Sequence, residues 1–282
     1  MSEAESTAKS VRGDSFRELV RVMERLRGPG GCPWDQEQTH ATLKPYFIEE
    51  THEALEAIDT GDDPGLVEEL GDVLLQVVFH AELLRERGQF DVDDVVRAIC
   101  EKLVRRHPHV FGELTVSDSG EVLRNWYEFK AAERKARKGD DASVLTGVPR
   151  TLPGLLRAQR LGEKAASVGF DWSDADSVLA KMEEEIAELR AALRTERGEG
   201  AGASMAGRAR VEAELGDLLF AGAQLARRLG VDAEEGVRGT CERFTARFHH
   251  IEAAMRAEGR PVKGATMEEL DARWEVAKKA VG

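Results

Sequence analysis

Acidic side chains recur in pairs along this sequence, at the three-residue spacing that places two residues on one face of a helix. The first pair is Glu50 and Glu53, and the second is Glu69 and Asp72. Residues three apart on a helix have Cβ atoms about 5–6 Å from each other, so each pair can present two carboxylates together. Two such helices packed side by side would bring four carboxylates to one place.

The same arrangement returns in the second half of the chain, as Glu185 with Glu188 and Glu214 with Asp217. Crowded carboxylates repel one another, and this repulsion raises their pKa values unless a positive charge neutralises them. Mg²⁺ suits this role, because it prefers oxygen ligands and leaves coordination positions to water and substrate phosphates. The sequence therefore predicts two Mg²⁺ sites, with Mn²⁺ as an alternative ion.

Basic residues and a tryptophan follow each acidic segment in the same order. They are Lys102, Arg106 and Trp126 in the first half, and Arg243, Arg247 and Trp274 in the second. Cationic side chains four residues apart on a helix can bind phosphate oxygens, and an indole ring can stack on a nucleobase. A divalent cation, two basic residues and an aromatic ring together predict a site for a nucleotide polyphosphate.

Simpler interpretations stay open for each of these residues. Acidic runs on helices are usually solvated faces, a single basic pair is usually a surface pair, and a tryptophan can equally be part of the core. A di-iron alternative arises because Glu49 and His52 form the Glu-x-x-His pattern of ferritin-like bundles. The second copy has Glu185-Ile186-Ala187-Glu188 and no histidine, and this absence favours magnesium.

Apolar periodicity predicts helices along the whole chain and indicates an all-α fold. The predicted helices cover about 14–26, 42–59, 66–87, 93–106 and 119–138 in the first half, and begin again at 155 and 174 in the second. Gly28–Asp35 is rich in glycine and proline and is predicted to be a connector. Residues 195–210, a glycine-containing insertion in the second half, are predicted to be a flexible segment or a lid.

The repeated order of motifs indicates an internal duplication. Each half of the 282-residue chain is long enough to bury a core of its own. We therefore predict tandem modules of the four-helix-bundle type: an N-terminal module at 14–139, a linker at 140–153 and a C-terminal module at 154–282.

The overall charge and the cysteine content restrict the partners and the compartment. A formal net charge of −13 disfavours binding to a nucleic-acid polymer. The three cysteines form no CxxC pair, and no apolar run reaches the length of a membrane span. These features predict a cytoplasmic protein that binds neither nucleic-acid polymers nor membranes.

The acidic motifs resemble the signature of the MazG-type nucleoside triphosphate pyrophosphohydrolases, across roughly residues 14–280. The segments Gly31–Asp35, Arg105–Phe111 and Val168–Trp172 support the resemblance. It implies tandem all-α modules, usually in a homodimer, that use Mg²⁺ to hydrolyse nucleoside and deoxynucleoside triphosphates to the monophosphate and pyrophosphate. It also implies that the C-terminal copy is the better catalyst.

The resemblance assigns a role to each residue of the C-terminal motif. The implied metal ligands are Glu185, Glu188, Glu214 and Asp217, and the implied nucleotide contacts are Lys181, Glu184, Arg243, Arg247 and Trp274. Glu184 is the candidate general base, as is Glu49 at the corresponding position of the first copy. An alternative is a nucleotide-sensing or partner-binding module with little turnover, which would bind the triphosphate without releasing the monophosphate.

Overall fold

A computed structural model describes residues 14–118, 143–198 and 205–281, together with positions 120–122, 125, 126, 129 and 133. All regular elements in these ranges are α-helices, and none of the described residues lies in a strand. The all-α prediction is therefore confirmed. Every helix in the described ranges is too short or too polar to cross a lipid bilayer.

The first half contains six helices with defined bounds. They are α1 (Asp14–Arg27), α2 (Pro33–Glu37), α3 (Lys44–Thr60), α4 (Asp63–Glu86), α5 (Val92–Arg106) and α6 (Pro108–Phe111). The described residues between 120 and 133 are also helical. Part of the predicted connector Gly28–Asp35 is thus helical, because Pro33 begins the short helix α2 and fixes the backbone angle that its first turn requires.

The described part of the second half contains five helices. They are α7 (Gly154–Ala166), α8 (Ala175–Gly198), α9 (Met205–Arg228), α10 (Ala233–Ala257) and α11 (Met267–Val281). Of the segment 195–210, which was predicted to be flexible or a lid, residues 195–198 belong to the end of α8 and 205–210 to the start of α9. Residues 199–204 lie outside the described residues. Alanine, arginine and methionine are good helix formers, and they continue the helices despite the nearby glycines.

The chain divides into two compact units, Met1–Glu133 and Arg134–Gly282. The predicted linker at 140–153 begins in the second unit, and its described part, 143–153, contains turns but no helix. The module boundaries 14–139 and 154–282 stay predictions.

The first unit is built on a helical hairpin of α3 and α4. Gly61 ends α3 with a left-handed φ of 67°, and Asp62 caps α4 by accepting a hydrogen bond from the Gly65 amide. The core beside the hairpin consists of Met23, Leu43, Val78, Phe79 and Leu83, with apolar residues of α1 packed against it. The short turn and this core hold α3 against α4.

The second unit repeats the hairpin with α8 and α9. Ala158 of α7 packs with Ala223 of α9 and Ala233 of α10, and small side chains allow helices to approach closely. The buried Gln224 donates a hydrogen bond to the carbonyl oxygen of Ala158, at 2.7 Å, and accepts one from Arg227. These contacts position α9 for the residues it contributes to the site.

Candidate active site

Three carboxylates of the first unit converge between α3 and α4. One oxygen each of Glu50, Glu69 and Asp72 lies within 4.8 Å of the other two. We call this group the first carboxylate triad. The fourth predicted ligand, Glu53, lies outside this triad but close enough to Glu50 to raise the pKa of its carboxyl group. The adjacent helices of the hairpin therefore direct their acidic side chains toward each other.

Three carboxylates converge in the same way between α8 and α9. One oxygen each of Glu185, Glu188 and Glu214 lies within 4.8 Å of the others, and we call this group the second carboxylate triad. Asp217, one helical turn beyond Glu214, lies outside the triad. The Glu185 side chain is only 7% exposed, so this triad contains a buried carboxylate.

The pKa values show the cost of this crowding. Burial raises the pKa of Glu50, and repulsion from Asp72, Glu53 and Glu69 raises it further. The pKa of Glu69 is raised for the same two reasons. In the second triad, burial and then repulsion from Glu185 raise the pKa of Glu188. Both triads therefore favour a bound positive charge.

The two triads differ in the cation beside them. Lys181 lies one turn before the second triad, with its Nζ 2.8 Å from Glu185 and 3.0 Å from Glu184. The hydrogen bonds with Glu185 and Glu184 raise the pKa of Lys181, which therefore stays charged. The corresponding position in the first copy is Tyr46, which offers no compensating charge.

The two candidate general bases are more exposed than the triads. Glu49 is exposed on α3, and the Glu184 side chain is 57% exposed on α8. Glu184 is held by its ion pair with Lys181. Both triads consist of carboxylates alone, and His52 belongs to neither of them, so the donor atoms suit a hard cation better than iron held by Glu-x-x-His motifs.

Each unit also places an arginine beside a tryptophan ring. The guanidinium carbon of Arg106 lies 5.6 Å from the centre of the Trp126 ring, and that of Arg247 lies 5.8 Å from the centre of the Trp274 ring. These distances are typical of a cation–π contact. Both tryptophans are partly buried, so each ring contacts an arginine and is also partly shielded from solvent.

The other two predicted phosphate ligands are exposed on the same helices. Lys102 lies on α5 and Arg243 on α10, and Arg243 donates a hydrogen bond to Thr240 at 2.8 Å. Helix α5 packs beside α4, and α10 packs beside α9. The basic residues thus lie on the helices next to the ones that carry the triads.

Sequence reasoning missed one residue of this region, Glu133. Its carboxylate pairs with Arg106 and with Arg105. The sequence around Glu133 is basic, and its partners lie 27 and 28 positions away, so no local pattern indicates these ion pairs. Only the packed helices bring the three side chains together.

Comparisons with known proteins identify the family. The profile of the MazG nucleotide pyrophosphohydrolase domain matches the chain twice, at residues 38–111 and 174–252. The nucleoside triphosphate pyrophosphohydrolase/pyrophosphatase MazG of Thermotoga maritima is 44% identical over 266 residues, which are 94% of this chain and 96% of that protein. The nucleoside triphosphate pyrophosphohydrolase of Escherichia coli K12 is 43% identical over 262 residues, 93% of this chain and 96% of that protein.

The fold and these similarities define an all-α hydrolase that acts on phosphoric anhydrides. The chain belongs to the MazG nucleotide pyrophosphohydrolase family and carries the family's domain twice. The predicted family and the predicted tandem organisation are confirmed.

Proposed function

We propose that the protein hydrolyses nucleoside and deoxynucleoside triphosphates to the monophosphate and pyrophosphate in a reaction that depends on Mg²⁺, with Mn²⁺ as an alternative ion. The observation that carries the proposal is the convergence of two carboxylate triads, each from adjacent helices, in a member of this family. The relatives from T. maritima and E. coli, named as nucleoside triphosphate pyrophosphohydrolases, support the choice of substrate.

The residues present fit a hard divalent cation. Their donors are carboxylate oxygens, one from each of three side chains within 4.8 Å, and Mg²⁺ binds such oxygens through one or two carboxylates while keeping several waters. In the C-terminal copy the proposed ligands are Glu185, Glu188, Glu214 and Asp217. In the N-terminal copy they are Glu50, Glu53, Glu69 and Asp72. When bound, the ion supplies positive charge that neutralises the phosphate oxygens.

The chain's own residues are proposed to orient the nucleotide and to move one proton. Arg243 and Arg247 hold phosphate oxygens by charge-assisted hydrogen bonds, and Trp274 offers a ring face to the base. Glu184 accepts the proton of the attacking water, and its ion pair with Lys181 positions the carboxylate. Attack at the α-phosphorus, which releases pyrophosphate, is taken from the family.

We further propose that the C-terminal copy is the better catalyst. Lys181 compensates the charge of the second triad and stands within 3.0 Å of the proposed base, whereas Tyr46 at the corresponding position of the first copy cannot do either. The N-terminal copy keeps its carboxylates and its arginine–tryptophan pair, and it contributes binding or slower turnover with Glu49 in the place of Glu184.

We also propose that the protein is a cytoplasmic homodimer. Helix α5 exposes an apolar stripe in which Val96, Ile99 and Leu103 are 41%, 43% and 47% accessible. A second copy of the chain would cover such a stripe, because exposed apolar residues repeated along a helix favour association. Replacing Ile99 with glutamate should convert the dimer to a monomer in light-scattering chromatography, and a wild-type protein that elutes as a monomer would contradict the proposal.

The decisive experiment compares the two triads separately. Glu185→Ala and Glu50→Ala are assayed with a panel of nucleoside and deoxynucleoside triphosphates, with and without Mg²⁺, and the products are resolved by chromatography. We expect Glu185→Ala to remove most of the pyrophosphate release and Glu50→Ala to remove less. If neither variant loses activity, the site assignment is wrong.

The same assay tests the sensing alternative. A sensor would bind a triphosphate and show a thermal shift without yielding the monophosphate. Release of monophosphate and pyrophosphate by the wild type, lost in Glu185→Ala, would exclude it.

A further inference from the structure

Arg106, which the N-terminal copy would use to bind a phosphate, already donates hydrogen bonds to Glu133. The two carboxylate oxygens of Glu133 accept hydrogen bonds from Arg106, from Nη2 at 2.5 Å and from Nε at 3.2 Å. Arg105 donates a further hydrogen bond to the same carboxylate at 2.8 Å. The Arg106 side chain is 14% exposed and that of Glu133 is 22% exposed, so the pair is largely shielded from solvent.

This ion pair is present at every pH at which the protein would work. The hydrogen bonds from Arg106, with the further hydrogen bond from Arg105, lower the pKa of Glu133 to about 2. The ring of Trp126 also lies 5.6 Å from the Arg106 guanidinium. A two-pronged arginine–carboxylate pair is geometrically specific and stronger than a neutral hydrogen bond. Arg106 is therefore held by a carboxylate and near an aromatic ring before any nucleotide arrives.

The C-terminal copy keeps the arginine and the tryptophan but not the glutamate. The offset that relates Trp126 to Trp274 places Val281 opposite Glu133, and the offset that relates Arg106 to Arg247 places Ala246 opposite Arg105. Neither valine nor alanine can form an ion pair. The two copies thus share the cation–π pair and differ in the residues at the positions of Glu133 and Arg105.

We propose that Glu133 acts as an internal competitor of the substrate phosphate and weakens triphosphate binding by the N-terminal copy. The proposal deepens the function assigned above and rests on Arg106 being a phosphate ligand. A triphosphate that reaches Arg106 must displace a carboxylate of the same charge sign, and its own negative charge is repelled by Glu133 until it does so. Glu133 thus lowers the phosphate affinity of Arg106 in the N-terminal copy.

The test removes the charge of Glu133 while the C-terminal site is disabled. In the full chain carrying Glu185→Ala and Arg247→Ala, binding of an α,β-methylene nucleoside triphosphate with Mg²⁺ is measured by calorimetry, with and without Glu133→Gln. Since releasing an ion-paired cation is worth a factor of several in affinity, we expect the dissociation constant to fall by roughly 3- to 10-fold. Where the N-terminal copy turns substrate over, its KM should fall by a similar factor.

A gain of affinity cannot result from partial unfolding, so a merely structural role for Glu133 would not produce it. Glu113→Gln, which removes one exposed carboxylate of the same unit, is the matched control and should leave the dissociation constant unchanged. An unchanged or weaker affinity in Glu133→Gln, or no binding in either background, would overturn the proposal. Pyrophosphate release by the wild type, lost in Glu185→Ala, would still uphold the proposed function, so the two failures can be told apart.

Discussion

Neutralising one carboxylate should have opposite effects on stability in the two copies when no divalent cation is present. Glu50 and Glu185 occupy equivalent positions on α3 and α8. Burial raises the pKa of Glu50, and repulsion from the carboxylates of Asp72, Glu53 and Glu69 raises it further. Glu185 instead has Lys181 at 2.8 Å. Glutamine has the same shape as glutamate, so each replacement removes charge and leaves the packing intact.

The magnitude for Glu50→Gln follows from the geometry of the first triad. Two unit charges 4.8 Å apart repel by about 0.9 kcal/mol in water and about 3.5 kcal/mol at an effective dielectric constant of 20. Because the triad is partly exposed, the value near the water limit applies, at about 1 kcal/mol for each of two neighbours. Glu50→Gln should therefore stabilise the metal-free protein by about 1–2 kcal/mol, or about 3–8 °C in Tm.

The pH dependence provides an internal check of the sign. A carboxyl group whose pKa is raised by folding binds more protons in the native than in the unfolded state, so its ionisation destabilises the fold as the pH rises through that range. The gain from Glu50→Gln should therefore be full at pH 7–8 and vanish below the ordinary pKa of glutamate. Glu185→Gln should lower Tm at neutral pH, because Lys181 loses a buried partner.

Differential scanning calorimetry in EDTA and then in Mg²⁺ measures both effects. The Tm of the wild-type protein should rise on addition of Mg²⁺. The Tm of Glu50→Gln should be higher than that of the wild type in EDTA, and it should rise less on addition of Mg²⁺. If Glu50→Gln does not raise the metal-free Tm, or if Glu185→Gln raises it equally, the crowding described for the triads is not the source of their cation affinity.

Three further outcomes are expected. Lys181→Met should lower kcat more than it raises KM, because Glu184 loses the ion pair that positions it. A change confined to KM would contradict this role. Gly162→Ala should destabilise the second unit by about 1–3 kcal/mol, because the Cβ of the alanine would collide with the fully buried Gln224. Urea unfolding measures this change, and unchanged stability would show that Gln224 can move. Glu133→Gln should lower the free energy of unfolding at pH 7 and should be as stable as the wild type near pH 2. The ion pair lowers the pKa of the Glu133 carboxyl group, so it stabilises the fold above the ordinary glutamate pKa, and this stabilisation is lost as the pH falls through about 2.

The parts of the site that depend on local spacing could be predicted from the sequence. Glu50 with Glu53 and Glu69 with Asp72 are helical neighbours, so the pattern alone places them on common faces. The pair of Lys181 with Glu185 has an i,i+4 spacing and is local in the same way. The helix bounds agree within a few residues, as for α5, which was predicted at about 93–106 and spans Val92–Arg106.

The parts that depend on tertiary packing could not be predicted. Glu133 lies in a basic segment, and nothing in its neighbourhood indicates that two arginines of α5 would surround it. The glycines at 198–207 led to the prediction of a flexible segment or lid at 195–210, but α8 extends to Gly198 and α9 begins at Met205, and the two helices pack against each other. The arginine–tryptophan pairs require two helices to meet, and a tryptophan alone is equally typical of a core.

The placement of each triad on a single helical hairpin has a consequence for how the protein folds. Fewer than thirty residues separate the first and last members of each triad, so closing the intervening loop costs little chain entropy. Each triad can therefore assemble as soon as its own hairpin forms, before distant segments of the chain dock. An ion that binds at this early stage would favour the hairpin over the extended chain, and refolding in Mg²⁺ would then be faster than refolding in EDTA.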